Sequence, residues 1–431
     1  MFAPKVPLVA TRLRRRLDSV AMPRTHRENL EAYARLAVLE GVALAKGQEL
    51  LVFAEPVAAP LVHLIAREAY RVGAKNVEVF WSDPNLSLIR YQEGSDEALG
   101  YAPQWLFDGI ATAHRGGAAR LGVLSADPAL LAGVSPEKVA AQSSAQGKGR
   151  KGIGDLIAEF EINWSLIGAA SPSWAARVFP DLPEAQAVDK LWEAIFLTSR
   201  VLEDDPIEAW VLHSQQLEER VKQLNAMKLD SLHFRGPGTD LRVGLVQNHL
   251  WAGGRGRAKN GILCSPNIPT EEVFCMPHRE RVEGVVSSTM PLSLRGQIID
   301  GIRVEFAGGV AVRATSSQGE EALNKFLATD AGAVRLGEVA LVPNSSKVSQ
   351  AGVLFLNSLY DENAASHIAF GAAYAENLAG YGEMSDSERL EAGANDSIVH
   401  VDWMIGSGEV DLDGVTADGT TVPLMRSGEW C

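Results

Sequence analysis

Residues 48–54 read Gln48-Glu49-Leu50-Leu51-Val52-Phe53-Ala54, a short apolar run entered from a turn at Gly47. The run is too short for a helix and does not alternate, which is the pattern of a strand buried on both faces. On its N-terminal side, residues 29–45 (NLEAYARLAVLEGVALA) carry apolar side chains at helical spacing. On its C-terminal side, residues 57–73 return to that spacing and stop at Gly73. The strand signal recurs at 76–81 (NVEVFW), 120–125 (RLGVLS) and 162–168 (INWSLIG). Strands separated by helices imply a mostly parallel α/β sheet.

Beyond this region the pattern changes. Residues 184–226 read as helix and are expected to bridge to a second domain. After Leu229 hairpin-like strands dominate, at 231–235, 240–246, 296–306 and 309–315, with a turn at Gly308-Gly309. Helices are expected at 318–328 and 361–378, and strands at 397–405 and 408–424. The fold class is therefore an α/β N-terminal domain with a mostly parallel sheet, plus an α+β C-terminal domain that holds every strong chemical signal. The expected boundaries are 1–24 for an N-terminal extension, 25–228 for the first domain and 229–431 for the second. The stretch 142–154 (QSSAQGKGRKGIG) reads as a mobile loop. It lacks GxxxxGK[ST] spacing, which rejects a phosphate loop there.

Composition narrows the function. The net charge of -14 repels phosphate backbones, so nucleic acid is not an expected partner. Three cysteines without CxxC spacing argue against a disulfide framework and for a reducing cytoplasm. No apolar run approaches the roughly 20 residues of a membrane span. The basic cluster Arg12, Arg14, Arg15 and Arg16 is followed by polar residues rather than by the apolar run of a signal peptide, and is read as a solvated extension. Regular periodicity begins near Asn29, just past Met22, so Met22 could be the natural start.

Four segments carry chemistry. His400 and Asp402 lie two apart in an apolar strand, so both project from one face. A buried Asp needs a partner, which can be a metal or an arginine. His367 and Tyr374, seven apart in an expected helix rich in Ala and Gly, share a helical face; a lone helical His can equally be a satisfied core residue. In 267–277 (NIPTEEVFCMP) only one of Glu271 and Glu272 can readily face a given site, and both can equally face solvent. Glu338 opens the apolar strand LGEVALV, where a carboxylate at a strand edge in water is the plainer alternative. Together they supply two imidazoles and three carboxylates, which suits a pair of divalent ions. Two ions give +4; three carboxylates and a bridging hydroxide balance it. Such a pair binds a carbonyl oxygen and lowers the pKa of a bridging water, and amide hydrolysis is the natural chemistry.

The motifs NIPTEEVF, MPHRERVEG, LGEVALVP, HIAFGAAY and HVDWMIGS, in this order across about 267 to 407, resemble the thermophilic aminopeptidase family of two-metal peptidases, which includes aminopeptidases T, S and II. The resemblance implies removal of N-terminal residues from short peptides. It implies metal ligands at Glu272, Glu338, His367, His400 and Asp402, and a catalytic tyrosine at Tyr374 that can hydrogen-bond an oxyanion. It implies two divalent ions, zinc or cobalt, with manganese or magnesium as alternatives. It also implies a homodimer whose internal cavity admits short peptides and excludes folded proteins. Glu271 is then the candidate general base, or a partner that orients Glu272.

Two other classes compete. A His367, His400 and Asp402 trio can hold one non-haem iron, as in a ring-cleaving dioxygenase, but such an enzyme has no need of Glu272 and Glu338 together. A non-enzymatic protein with a structural metal would be expected to use cysteines, and none falls in this ligand set.

Overall fold

The computed structural model describes residues 24–294 and 297–431. The extension expected at 1–24, its arginine cluster and Met22 thus lie outside the described residues, save for Arg24. From Thr25 onward the chain is ordered by local rules. Thr25 and Glu28 form a reciprocal capping box that starts the helix His26–Leu36. The expected single helix over 29–45 ends earlier than its apolar spacing suggested, passing through a π turn at Ala37–Gly41.

The first sheet contains β1 (Glu49–Ala54), β2 (Asn76–Trp81), β3 (Ala119–Leu124) and β4 (Trp164–Gly168), all parallel, in the order β4-β3-β1-β2. Period-2 alternation explains how β1 stays apolar throughout. Leu50 and Val52 enter one core with the helices His26–Leu36 and Ala59–Arg71, while Leu51 and Phe53 enter another with Phe107, Ile110 and Ile153. The stretch 142–154 is not a loop. It forms the second half of a helix, Pro136–Ala158, capped by Ser135 and started by Pro136. Its glycines serve packing: a Cβ at Gly149 would come within 2.8 Å of the Phe107 ring.

The helices Glu184–Thr198 and Pro206–Met227 fill the segment expected to bridge the halves. The second does so physically. Trp210 packs in the core of the parallel sheet, and Leu217 and Leu224 pack in the core of the C-terminal half. An eight-stranded sheet from the C-terminal half includes the expected hairpin Leu229–Gly236 and Thr239–Leu245, together with Asp411–Thr416 and Thr421–Arg426. The chain also crosses back. Asn267–Ile268 pairs in parallel with Leu166 and Ile167 of β4, and Val348, Phe355, Leu359 and Tyr360 join the first core.

A third sheet is antiparallel and carries the chemical motifs. It contains β5 (Val273–Cys275), β6 (Leu336–Leu341), β7 (His367–Gly371) and β8 (His400–Met404), in that order, with Ala252–Gly253 at the edge beside β5. The helix expected over 361–378 is thus absent as such. Ser358–Asp361 and Glu362–Ala364 form short turns of helix, His367–Gly371 is a central strand, and Ala375–Asn377 is a single 3-10 turn. Helix-forming alanines lose here to pairing on both sides of the strand, a tertiary term that outweighs intrinsic propensity.

Gly168, at the end of β4, shows how tightly the two halves meet. Its N–H donates to the Tyr33 hydroxyl at 3.1 Å. A Cβ at this position would collide with the Tyr360 hydroxyl, and the Tyr360 ring cannot retreat because it is stacked on Phe355, at 4.4 Å between centroids, and packed against Trp174. Gly168→Ala is therefore expected to destabilise the protein by about 1–3 kcal/mol through overpacking. Urea unfolding followed by fluorescence measures it; an unchanged midpoint would show that the contact is soft.

Candidate metal centre

The strand register assembles the centre. Ala369 of β7 pairs with Glu338 on one side and Asp402 on the other, and Gly371 pairs with His400. Paired residues in an antiparallel sheet share a face, and so do residues two apart. Glu338, His367, Ala369, Gly371, His400 and Asp402 therefore occupy one face. Ala369 and Gly371 leave the space between the larger side chains open. Gly371 has φ +104°, and a Cβ there would collide with the Val399 carbonyl, so only glycine fits. The opposite face is apolar: Val339, Leu341, Ile368, Phe370 and Trp403 enter the core, with Phe370 stacked on Trp403 at 5.5 Å. Glu272 arrives from the four-residue crossing, residues 269–272, that joins the first sheet to β5.

Among the described residues, two groups present ligand atoms within 4.8 Å of one another: Glu272, Glu338 and His367, and Glu338, His400 and Asp402. Glu338 belongs to both. Its Oε1 lies 3.8 Å from His367 Nε2, and its Oε2 lies 3.3 Å from His400 Nε2. His367 Nε2 is also 3.1 Å from Glu272 Oε2. Each imidazole places its Nδ1 on a backbone carbonyl, His367 on Ala365 at 3.1 Å and His400 on Ala372 at 2.8 Å. With Nδ1–H donating there, Nε2 is the ring atom turned to the carboxylates, where it holds either a proton or a cation. His400 Nε2 and Asp402 Oδ1 are buried, 3.2 Å apart, and without a hydrogen-bond partner. Bare donor atoms converging in this way fit a cation, because an unsatisfied buried acceptor is costly.

The electrostatics agree. Burial alone would lower the His367 imidazole, but hydrogen bonding to Glu272 and Glu338 raises it well above the ordinary histidine range. Burial likewise opposes His400, yet the negative charges of Asp402 and Glu338 beside its Nε2 raise it to about 11. Burial and the charges of Glu338 and Asp402 raise Glu272, against the pull of His367. Asp402 runs the other way: burial would raise it, and His400 and His367 hold it below the carboxylate range. The imidazoles hold protons because the pocket is rich in negative charge, and protons are what a metal would displace.

Two carboxylates here escaped the sequence reading. Glu362 lines a cavity together with Asp402, and burial and then the charges of Glu272 and Asp402 raise it well above the ordinary range. Glu376, exposed on the turn after Tyr374, is pushed up to about 7 by partial desolvation and by the charges of Glu338 and Glu272. Each lies near a motif histidine or tyrosine, but the expected helix put them on other faces. Tyr374 is at the rim, 44% exposed, with its ring 4.6 Å from that of His400 and edge-on to Phe274. It therefore meets His400 from a loop and not from a helical face shared with His367. Burial and the surrounding carboxylates raise its pKa, so it stays a neutral O–H donor.

Glu271 points away from this pocket. Both its oxygens accept from Arg200, at 2.7 and 3.0 Å. A carboxylate with both oxygens engaged by a guanidinium is poorly placed to take a proton, which weighs against the general-base role expected for it and leaves the orienting role.

The chain is similar to known proteins over nearly its whole length. The family model described as thermophilic metalloprotease (M29) matches residues 26–430. Aminopeptidase T of Thermus thermophilus is 50% identical over 404 residues, spanning 94% of this chain and 98% of the relative. Aminopeptidase AmpS of Bacillus subtilis is 42% identical over 403 residues, with the same coverage of 94% and 98%. The solved structure of wild-type AmpT from Thermus thermophilus superposes with a TM-score of 0.90 at 49% identity, covering 94% of this chain and 100% of that one. With a family match over nearly its whole length and a strand register that brings two histidines and their carboxylates onto one face, the chain belongs to the M29 family of thermophilic metalloproteases.

Proposed function

We propose that this protein is a metal-dependent aminopeptidase that removes N-terminal residues from short peptides, with two divalent ions held by Glu272, Glu338, His367, His400 and Asp402. The observation that carries the two-ion reading is Glu338, which turns one oxygen toward each histidine and belongs to both ligand groups. The candidate ligand atoms of each group lie within 4.8 Å of one another, a range at which two carboxylate charges repel by about 3 kcal/mol or more in an effective dielectric near 20, several times thermal energy. Glu272, Glu338, Glu362 and Asp402 together carry four negative charges when ionised, which two divalent ions would balance. Imidazole and carboxylate donors without thiolate suit zinc or cobalt, with manganese or magnesium as alternatives.

When bound, the ions would polarise the scissile carbonyl and make a water nucleophilic near neutral pH. The chain's own residues supply the rest. Tyr374, kept neutral at the rim, donates its O–H to the oxygen on which charge develops. Glu376 stands on the turn after Tyr374 and, when ionised, would favour a substrate with a positive α-ammonium, as a peptide N-terminus provides. In this reading residues 25–228 form a supporting domain and residues 229–431 the catalytic one, interleaved where 267–268 and 348–360 enter the first core. A homodimer enclosing the sites and a cytoplasmic location complete the proposal. Cys264, Cys275 and Cys431 are free thiols, as a reducing compartment would keep them. The mononuclear dioxygenase reading has no support from the family or from aminopeptidase T and AmpS.

Stripping the protein with chelator and titrating zinc, cobalt or ferrous iron tests the reading, with leucine release from a leucyl peptide and oxygen uptake followed together. Two ions per chain and restored cleavage are expected. One iron per chain with oxygen consumption and no cleavage would overturn it. Glu338→Ala is expected to bind one ion or none and to lose at least about 100-fold in turnover. Tyr374→Phe is expected to keep both ions and KM while kcat falls about 100-fold, the scale of one lost oxyanion donor; an unchanged kcat would remove Tyr374 from the chemistry.

A further inference from the structure

The buried pair of Arg200 and Glu271 spans 71 residues of sequence and ends one residue from Glu272. Arg200 follows the helix Glu184–Thr198 in a left-handed backbone conformation, φ +58°, uncommon for a residue with a Cβ. Arg200 is 9% exposed, and its guanidinium forks onto both oxygens of Glu271. Its Nη2 also lies 2.9 Å from His213 Nδ1. Arginine only donates, so Nδ1 is the bare nitrogen of His213, and the proton sits on Nε2. That Nε2–H donates to the Thr270 carbonyl at 2.7 Å. On the other side, the Glu271 N–H donates to Asn363 Oδ1 at 2.7 Å.

Residues 270 and 271 are thus held at a carbonyl, an amide and a carboxylate, each by a residue outside the crossing. The side chains of Glu271 and Glu272 diverge, one to Arg200 and the other to His367. With Glu271 locked toward the N-terminal helices, Glu272 has only the metal pocket to face. An ion pair serving stability alone would need no separate hold on the Thr270 carbonyl from the same His213 that steadies the guanidinium.

We infer that Arg200, His213 and Glu271 form a clamp that aims Glu272 at the metal pair, so that the N-terminal half sets the geometry of a centre built in the C-terminal half. Arg200 and His213 are then positioning residues, and Glu271 takes no proton in the reaction. The inference rests on the two-metal reading above.

The test uses the full-length metal-loaded protein with Arg200→Lys, Glu271→Gln, His213→Ala and His213→Gln. Metal affinity is measured against a chromophoric chelator, the visible spectrum in the cobalt form, and kcat and KM on a leucyl peptide; melting of the metal-free form is recorded alongside. Arg200→Lys, Glu271→Gln and His213→Ala are each expected to weaken one ion by about 10–100-fold, alter the cobalt band and lower kcat by a similar factor, with KM within about twofold. His213→Gln, whose amide can accept from Arg200 and donate to Thr270, is expected to recover most of the loss. Lower melting temperatures with unaltered metal affinity, spectrum and kcat would reduce the clamp to a structural tie and overturn the inference. So would a Glu271→Gln variant that binds metal normally but has lost turnover, since Glu271 would then carry a proton. A wild-type protein that binds fewer than two ions would overturn the two-metal reading and the clamp with it, whereas failure of the variants alone leaves that reading standing.

Discussion

The centre depends on one carboxylate divided between two histidines. Glu338 is 4% exposed, and each of its oxygens faces a different imidazole. A buried carboxylate in contact with other carboxylates is unfavourable unless cations are present. The surrounding structure holds this unfavourable arrangement in place: three strands fix Glu338, His367, His400 and Asp402 on one face, while the other face is anchored in an aromatic and aliphatic core. The strain of gathered charge is borne by packing that lies a single pleat away.

That division of labour explains the small residues. Ala369 and Gly371 occupy positions on the same face of β7 as His367, between Glu338, His400 and Asp402, where a larger side chain would fill the space on which those side chains converge. They favour neither strand nor core by propensity. Their value lies in what they leave empty, and it exists only because β6 and β8 flank them.

Much of this was legible in the chain. The alternation through His400-Val401-Asp402 places both side chains on one face from local geometry alone, and the strand pattern of 48–54 predicts a parallel sheet that the structure contains. The run from His367 to Tyr374 was not legible as strand, because its alanines suit a helix and the competing pairing partners are about 30 residues away in each direction. The same error hid Glu362 and Glu376. The stretch 142–154 failed for the opposite reason: its glycines look like a loop, and only contact with Phe107 shows why a helix needs them.

Arg200 marks the limit most plainly. Nothing in its sequence neighbourhood distinguishes it from other arginines of the N-terminal half, and its role follows from the chain crossing from β4 to β5 through residues 269–272. By itself the sequence determined the donor types, their order, and the pairs that local periodicity sets side by side, since these depend on spacing over a few residues. The tertiary structure alone decided which of two adjacent glutamates faces the two histidines, that Glu338 turns an oxygen to each of them, and that helices from the first half hold the crossing in place. Those outcomes depend on register and contact between segments tens to hundreds of residues apart, and no local rule carries that information.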